Sequence, residues 1–310
     1  MPLRPTDDRA SRIALRHPRH WPAWLGLALM RLISLLPLPV LAAAGTVIGE
    51  LFYHLVRSRR HVVAVNLALC FPELGKGEQR KLVREHFHAF GQTLFDVGVA
   101  WWGGPARLRR LVHLRGRENA ERLIAQGKSV ILMAPHFLGL EIGGIRISLE
   151  GAGCAMFRPV DNPVLNAAME QGRSRFGLTL ISHRAPLTTV VRMVREGLPL
   201  FYLPDQDPHR RSRTFVPFFG VPAATFTSLS RLAAVTDAAV VPCICRQLPR
   251  GRGYEVVFRP PLADFPTGDP VEDAARMNRE IEREVRALPA QYFWMHKRFK
   301  TRPPGEPKIY

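Results

Sequence analysis

The sequence predicts an α/β fold with a mixed, largely parallel central sheet and helices on both faces. Three observations carry the prediction. Beyond residue 110, short apolar runs alternate with helical stretches, the pattern of strands joined by crossover helices. One run, residues 129–134 (SVILMA), carries no charge and is rich in Val, Ile, Leu and Met, as a strand covered on both faces must be. Gly127 and Gly197 stand where helical stretches stop, and glycine tolerates the left-handed backbone that ends a helix.

Composition sets the bounds. A chain of 310 residues, 46% hydrophobic and 23% charged, is globular and can bury a substantial core. A net charge of +18 and a pI near 11.0 favour polyanionic partners: nucleic acid, anionic lipid or an acidic carrier protein. No recognition motif for nucleic acid accompanies the charge, so nucleic acid is not expected as a partner. Cys70, Cys154, Cys243 and Cys245 lack metal-ligand spacing and read as reduced, packed thiols of a cytosol-facing protein. Alternation in VVPCICRQL puts Cys243 and Cys245 on one strand face.

In chain order, residues 1–20 are polar and basic, with Arg9, Arg12, Arg16 and Arg19. Residues 21–49 are almost wholly apolar. The uncharged run 32–49 has the length of a membrane segment, although Pro37 and Pro39 argue against one straight helix. Trp21, Trp24 and Tyr53 flank it, with Arg57, Arg59 and Arg60 beyond, as interfacial anchors do. The apolar region is too long for a cleaved signal peptide and lacks a small-residue cleavage site. Residues 1–56 are therefore read as a basic N-terminus and membrane-anchoring helix, spanning or re-entrant, with a buried hairpin as the alternative. Residues 57–310 form the α/β domain.

Residues 57–72 and 78–102 read as helices. On the second, Phe87, Phe90, Leu94, Phe95 and Val99 recur at three- and four-residue steps, a stripe that suits the core or a surface against acyl chains. After the Gly103-Gly104-Pro105 break come strand 111–114 and helix 118–126, then strand 129–134 and helix 138–149. Strand 152–157, helix 163–176, strand 178–182, helix 187–196 and strand 198–203 continue the alternation. Helix 227–236 leads to strand 239–246, which pairs with strand 254–258. A helix at 271–288 and the aromatic, basic ending QYFWMHKRFKTRPP close the chain.

The chemistry gathers at strand ends. Strand 129–134 breaks at Pro135 and presents His136, and a glycine-containing turn leads into a helix carrying Glu141. The spacing alone is weak: with 11 His and 26 acidic residues, roughly one such pair arises by chance. A second, His113 with Glu118, lies in a charged stretch that reads as surface. His136 differs because an apolar strand delivers it to the edge where α/β sheets hold their ligands. Gly139, Gly143 and Gly144 also leave room for a close neighbour. Other strand ends add Arg158 in FRPVDNP, and Asp205 and Asp207 in LPDQD, while Arg173 and Arg175 lie on helix 163–176. The sequence has no phosphate loop, GxSxG elbow or metal cluster, so no metal or cofactor is expected.

Together, HFLGLE in its strand-loop-helix setting, FRPVDNP, RSRFG, LPDQD, FVPFFG and QYFWMHKRFKTRP resemble the secondary acyltransferases of lipid A biosynthesis, the lauroyl and myristoyl transferases of Gram-negative bacteria. The resemblance runs from about residue 60 to the C-terminus. It implies a glycerophosphate-acyltransferase-like α/β domain anchored at the cell inner membrane and facing the cytoplasm. The implied reaction moves a fatty acyl chain from acyl carrier protein, the co-substrate, to a hydroxyl on an acyl chain of a Kdo-lipid A precursor.

By the same resemblance His136 is the general base and Glu141 orients it, matching the family's H-x4-D/E motif. A hydroxyl is a poor nucleophile, and a neutral imidazole is suited to take its proton. Arg173 matches an arginine the family uses and Asp205 its acidic position; Arg158 and Asp207 are further candidates for binding substrate or supporting the site. The positive charge then has partners in an acidic carrier, an anionic precursor and an anionic inner leaflet. Residues 9–19, 57–60 and 297–302 are the basic arms that would meet them. The alternatives are a related membrane acyltransferase acting on another glycolipid or phospholipid and, outside the class, a non-catalytic protein that binds lipid or polyanions.

Overall fold

The apolar run near the N-terminus forms two helices, α1 (Trp21–Ile33) and α2 (Leu38–Leu55). Pro37 has no N–H with which to continue α1, and Pro39 enters the first turn of α2, where no donor is needed. The computed structural model describes residue 15, residues 17–208 and residues 213–310, so residues 9–14 and 16 of the first basic arm lie outside the described residues.

Helices α3 (Arg57–Cys70) and α4 (Lys76–Trp102) follow. α2 lies along α4, and the crossing needs bare backbone: a Cβ on Gly91 would meet Gly45 O at 2.0 Å and Gly49 N at 2.6 Å. Glu50 of α2 also pairs with Arg84 Nε and His88 Nε2 of α4, each at 2.6 Å.

The predicted alternation then unfolds. α5 (Pro105–Leu111) leads into β1 (Val112–Arg115), α6 (Glu118–Ala125), β2 (Val130–Met133) and α7 (Leu140–Ser148). Next come β3 (Gly153–Phe157), α8 (Pro163–Ser174), β4 (Leu178–Ser182), α9 (Leu187–Arg195) and β5 (Leu200–Tyr202). A hairpin of β6 (Arg213–Phe218) and β7 (Val221–Phe226) precedes α10 (Ser228–Thr236), β8 (Ala239–Gln247), β9 (Tyr254–Phe258) and α11 (Pro270–Ala287).

Seven strands make one sheet in the order β1-β9-β8-β2-β5-β3-β4. Only the β8–β9 pair among them is antiparallel. Successive residues of β2 enter opposite cores, which fixes helices on both faces. Ile131 and Met133 share one core with Val194, Leu232 and Ile281 of α9, α10 and α11. Val130 and Leu132 share the other with Leu41, Leu108 and Ile142 of α2, α5 and α7. Cys243 and Cys245 both fall in the second core, and all four cysteines are buried and unpaired.

The close neighbour expected beside the glycines is the sheet, since a Cβ on Gly139 or Gly143 would lie 2.8 or 2.7 Å from Cys245 Sγ. One expectation is corrected. The last basic arm, 297–302, is largely built into the fold because its guanidinium groups find carbonyl oxygens on the hairpin. Arg298 is buried and donates to Ala224 O at 2.6 Å and Thr225 Oγ1 at 3.0 Å; Arg302 donates to Pro222 O at 2.5 Å and pairs with Glu306. Lys297 and Lys300 are the exposed cations of that stretch.

Candidate active site

Strand register assembles the site. β2 and β5 are parallel neighbours with Met133 beside Tyr202, so the residues three places on, His136 and Asp205, leave the sheet side by side. Ala134 N–H still donates to Tyr202 O at 2.9 Å, which carries the register past the strands. Asp205 then holds His136 twice: Oδ2 accepts the backbone N–H at 2.8 Å, and Oδ1 lies 2.7 Å from Nδ1.

The Asp205 side chain is 2% exposed and that of His136 is 23% exposed. Burial pushes the Asp205 carboxyl up, but the charge and hydrogen bonds of His136 outweigh it and hold the group below the usual carboxylate range. With Nδ1–H given to Asp205, Nε2 is the nitrogen left to accept a proton, and no described residue bonds it. A carboxylate that fixes the tautomer and stabilises the imidazolium is what a histidine general base requires.

The C-terminal stretch closes the site from the other side. Phe293 N–H donates to His136 O and Leu138 N–H to Gln291 O, both at 2.9 Å. His136 and Asp205 share a crevice with Tyr292, Phe293, His296 and Arg298. Asp207 anchors this stretch: its N–H donates to His296 Nε2 at 2.8 Å, and its carboxylate accepts from Thr301 N and Oγ1, each at 2.8 Å. Burial pushes His296 down to about 4, so it is neutral at physiological pH.

Glu141 lies on the first turn of α7, as expected, but it holds other partners. Its Oε1 accepts from Trp101 Nε1 at 2.7 Å, and Arg173 donates Nε to Oε1 at 3.0 Å and Nη2 to Oε2 at 2.6 Å. α8 brings the guanidinium fork against α7, and the end of α4 supplies the indole, so both oxygens are bound. The carboxylate hydrogen-bonded to His136 is therefore that of Asp205, where the sequence reading puts Glu141. Arg175 is occupied by the carbonyls of Trp101 and Gly103. Arg158, just past β3, is exposed and makes no hydrogen bond or ion pair with a described residue, so the structure does not join it to this cluster. His113 is exposed on β1, in keeping with a surface role.

A sequence model described as bacterial lipid A biosynthesis acyltransferase matches residues 10–301. The chain belongs to this family. It is similar to the lipid A biosynthesis lauroyltransferase of Escherichia coli (strain K12), with 37% identity over 298 residues, 96% of this chain and 97% of the relative. The palmitoleoyltransferase of the same strain is 34% identical over 295 residues, covering 95% and 96% of the two chains. Its myristoyltransferase is 34% identical over 302 residues, covering 96% and 92%. The motifs read from the sequence thus belong to an acyltransferase of lipid A biosynthesis.

Sequence reasoning missed two parts of the site. Trp101 had only the neighbouring Trp102 and the end of an amphipathic helix as signals, and neither points at Glu141. The C-terminal aromatic stretch stands out by composition, but its packing against the His136 loop depends on long-range contacts that spacing does not encode.

Proposed function

We propose that the protein transfers a fatty acyl chain from acyl carrier protein to a hydroxyl on an acyl chain of a Kdo-bearing lipid A precursor. His136 Nε2 takes the hydroxyl proton as the oxygen attacks the thioester carbonyl; the C–O bond forms, the C–S bond breaks, and the proton passes to the departing thiolate. Asp205 is a positioning residue that orients the imidazole and stabilises its charged form. Glu141 positions Arg173, whose partly exposed guanidinium suits a phosphate or carboxylate of either substrate. The observation that carries this reading is the His136–Asp205 pair at 2.7 Å on the C-terminal edge of the sheet.

The work is assigned to the cytoplasmic surface of the inner membrane, with α1 and α2 in the membrane interface. Trp21, Leu25, Leu32, Leu35, Val47 and Leu55 are 64–72% exposed, a large apolar face for a chain in water. α2 is long and apolar enough to span, yet its Glu50 pairs with Arg84 and His88 of α4. Hydrocarbon would penalise those charges, which favours a helix pair lying in the interface.

Mass spectrometry of lipid A from cells with and without the gene tests the proposal. Loss of one secondary acyl chain is expected; an unchanged lipid A with an altered phospholipid or other glycolipid would move the activity to that acceptor.

A further inference from the structure

A second hollow adjoins the His136 crevice. It has a volume of about 430 Å3 and lies between the end of α2, the start of α3, α4 and the C-terminal stretch. Six side chains make it apolar: Phe52, Val56, Phe87, Phe90, Phe293 and Met295. Arg59 and His296 are its polar members. Phe293 and His296 also line the crevice that contains His136 and Asp205, so these two residues border both spaces.

Resting on the acyl-transfer reading, we propose that this hollow receives the acyl chain of the donor, with its thioester carbonyl at His136, and that its walls set the chain length transferred.

Three features support that occupant. The volume falls within the roughly 300–1,000 Å3 of small-ligand pockets, which suits one alkyl chain and is too little for a disaccharide bearing several. The donor chain ends at the reacting carbonyl, so a hollow beginning beside the base fits it. His296 at the junction is neutral because burial pushes it down to about 4, which leaves Arg59, donating to Met295 O at 3.2 Å, as the cation in the wall of the hollow. A second groove of about 620 Å3, between α1, the end of α4 and α8, has Arg31, Gln171 and Arg175 in its walls and is less suited to a bare chain.

The walls are adjustable. Phe90 stacks tilted between Phe52 and Phe293, each ring pair at 6.4 Å, so trimming it joins space on both sides. Val56 stands at the α2–α3 break, where a larger side chain would fill the hollow. Met295 is flexible and adapts to what lies against it.

The test has two arms. In the first, acyl-carrier donors from decanoyl to palmitoyl compete for one acceptor, using wild type, Phe90→Ala and Val56→Phe, with Phe90→Leu as the milder change should Phe90→Ala fail to fold. A pocket that measures chains discriminates one methylene by roughly 10- to 200-fold. Val56→Phe should therefore shift the kcat/KM ratio of adjacent even-numbered donors at least tenfold toward the shorter, and Phe90→Ala or Phe90→Leu toward the longer. Unchanged donor ratios, or a shift only when the acceptor's own chains vary, would overturn the proposal.

In the second arm, a pantetheine thioester of dodecanoic acid with a terminal diazirine is photolysed on the wild-type protein and the labelled peptides are sequenced. Label on α2, α4 near Phe90 or residues 293–296 supports the hollow even if no transfer to lipid A occurs, in which case the acceptor assignment alone is wrong. Label on α1 or α8 overturns it even if transfer is robust.

Discussion

Two carboxylates stand near the same edge of the sheet and hold different things. Asp205 is sealed from solvent, lies beside His136 through the β2–β5 register, and takes both the ring and the backbone N–H of that residue. Glu141 is five residues from His136 in sequence, yet it is gripped by Arg173 and Trp101 from two other helices. Proximity in sequence put one carboxylate close to the histidine; strand order gave the histidine the other. These are two separate pairs, one suited to proton transfer and one to holding an anion.

Mutations can break that division, and the largest effect is expected at the base itself. His136→Ala should lower kcat by roughly 10²- to 10⁴-fold in a folded protein; a purified variant transferring at the wild-type rate would remove His136 from the chemistry. Asp205→Asn comes next, within the same roughly 10²- to 10⁴-fold in kcat, because the amide can accept only one of the two His136 hydrogen bonds and no longer stabilises the imidazolium. Steady-state kinetics with saturating donor and acceptor would read it.

The second pair should behave as a unit of its own. Arg173→Ala and Glu141→Gln are each expected to cost about tenfold in kcat/KM, mostly through KM, and the double variant should lose little more than either alone. Fully multiplicative losses would separate the two residues.

A third carboxylate sharpens the contrast through stability. Asp96 is buried on α4 like Asp205, but neutral Tyr254 and Gln247 face it, and burial pushes it up to about 7 from 3.8. The linkage therefore runs opposite to that of Asp205. Stability associated with Asp96 is fully present below its unfolded value and is lost as pH rises through about 7, by at most about 1.4 kcal/mol per unit. Asp96→Asn should flatten the fall in melting temperature between about pH 4 and about pH 7. An equally steep fall in the variant would place the titration elsewhere.

Much of the fold was legible because local patterns carried it. Residues 178–182 and 254–258 read as strands and are β4 and β9; the alternation beyond residue 110 gave the sheet and its crossover helices. The β6–β7 hairpin was not read. Pro217 and Pro222 interrupt its alternation, and its two-residue turn puts Phe219 as well as Gly220 at positive φ, where phenylalanine is an uncommon choice. The candidate site was half legible. His136, Glu141, Arg173 and Asp205 could each be singled out, but their pairing follows from β2 lying next to β5 and α8 against α7. Those are contacts between elements far apart in the chain, and only the folded sheet brings them together.

The central claim is that Asp205, not Glu141, supports the proton-accepting histidine. The direct measurement is kcat for wild type, Asp205→Asn and Glu141→Gln, with the same donor and acceptor, both saturating. Asp205→Asn removes the charge that stabilises the imidazolium and should lower kcat far more than Glu141→Gln, whose loss lies mostly in KM. A kcat that falls in Glu141→Gln and is unchanged in Asp205→Asn would contradict the account.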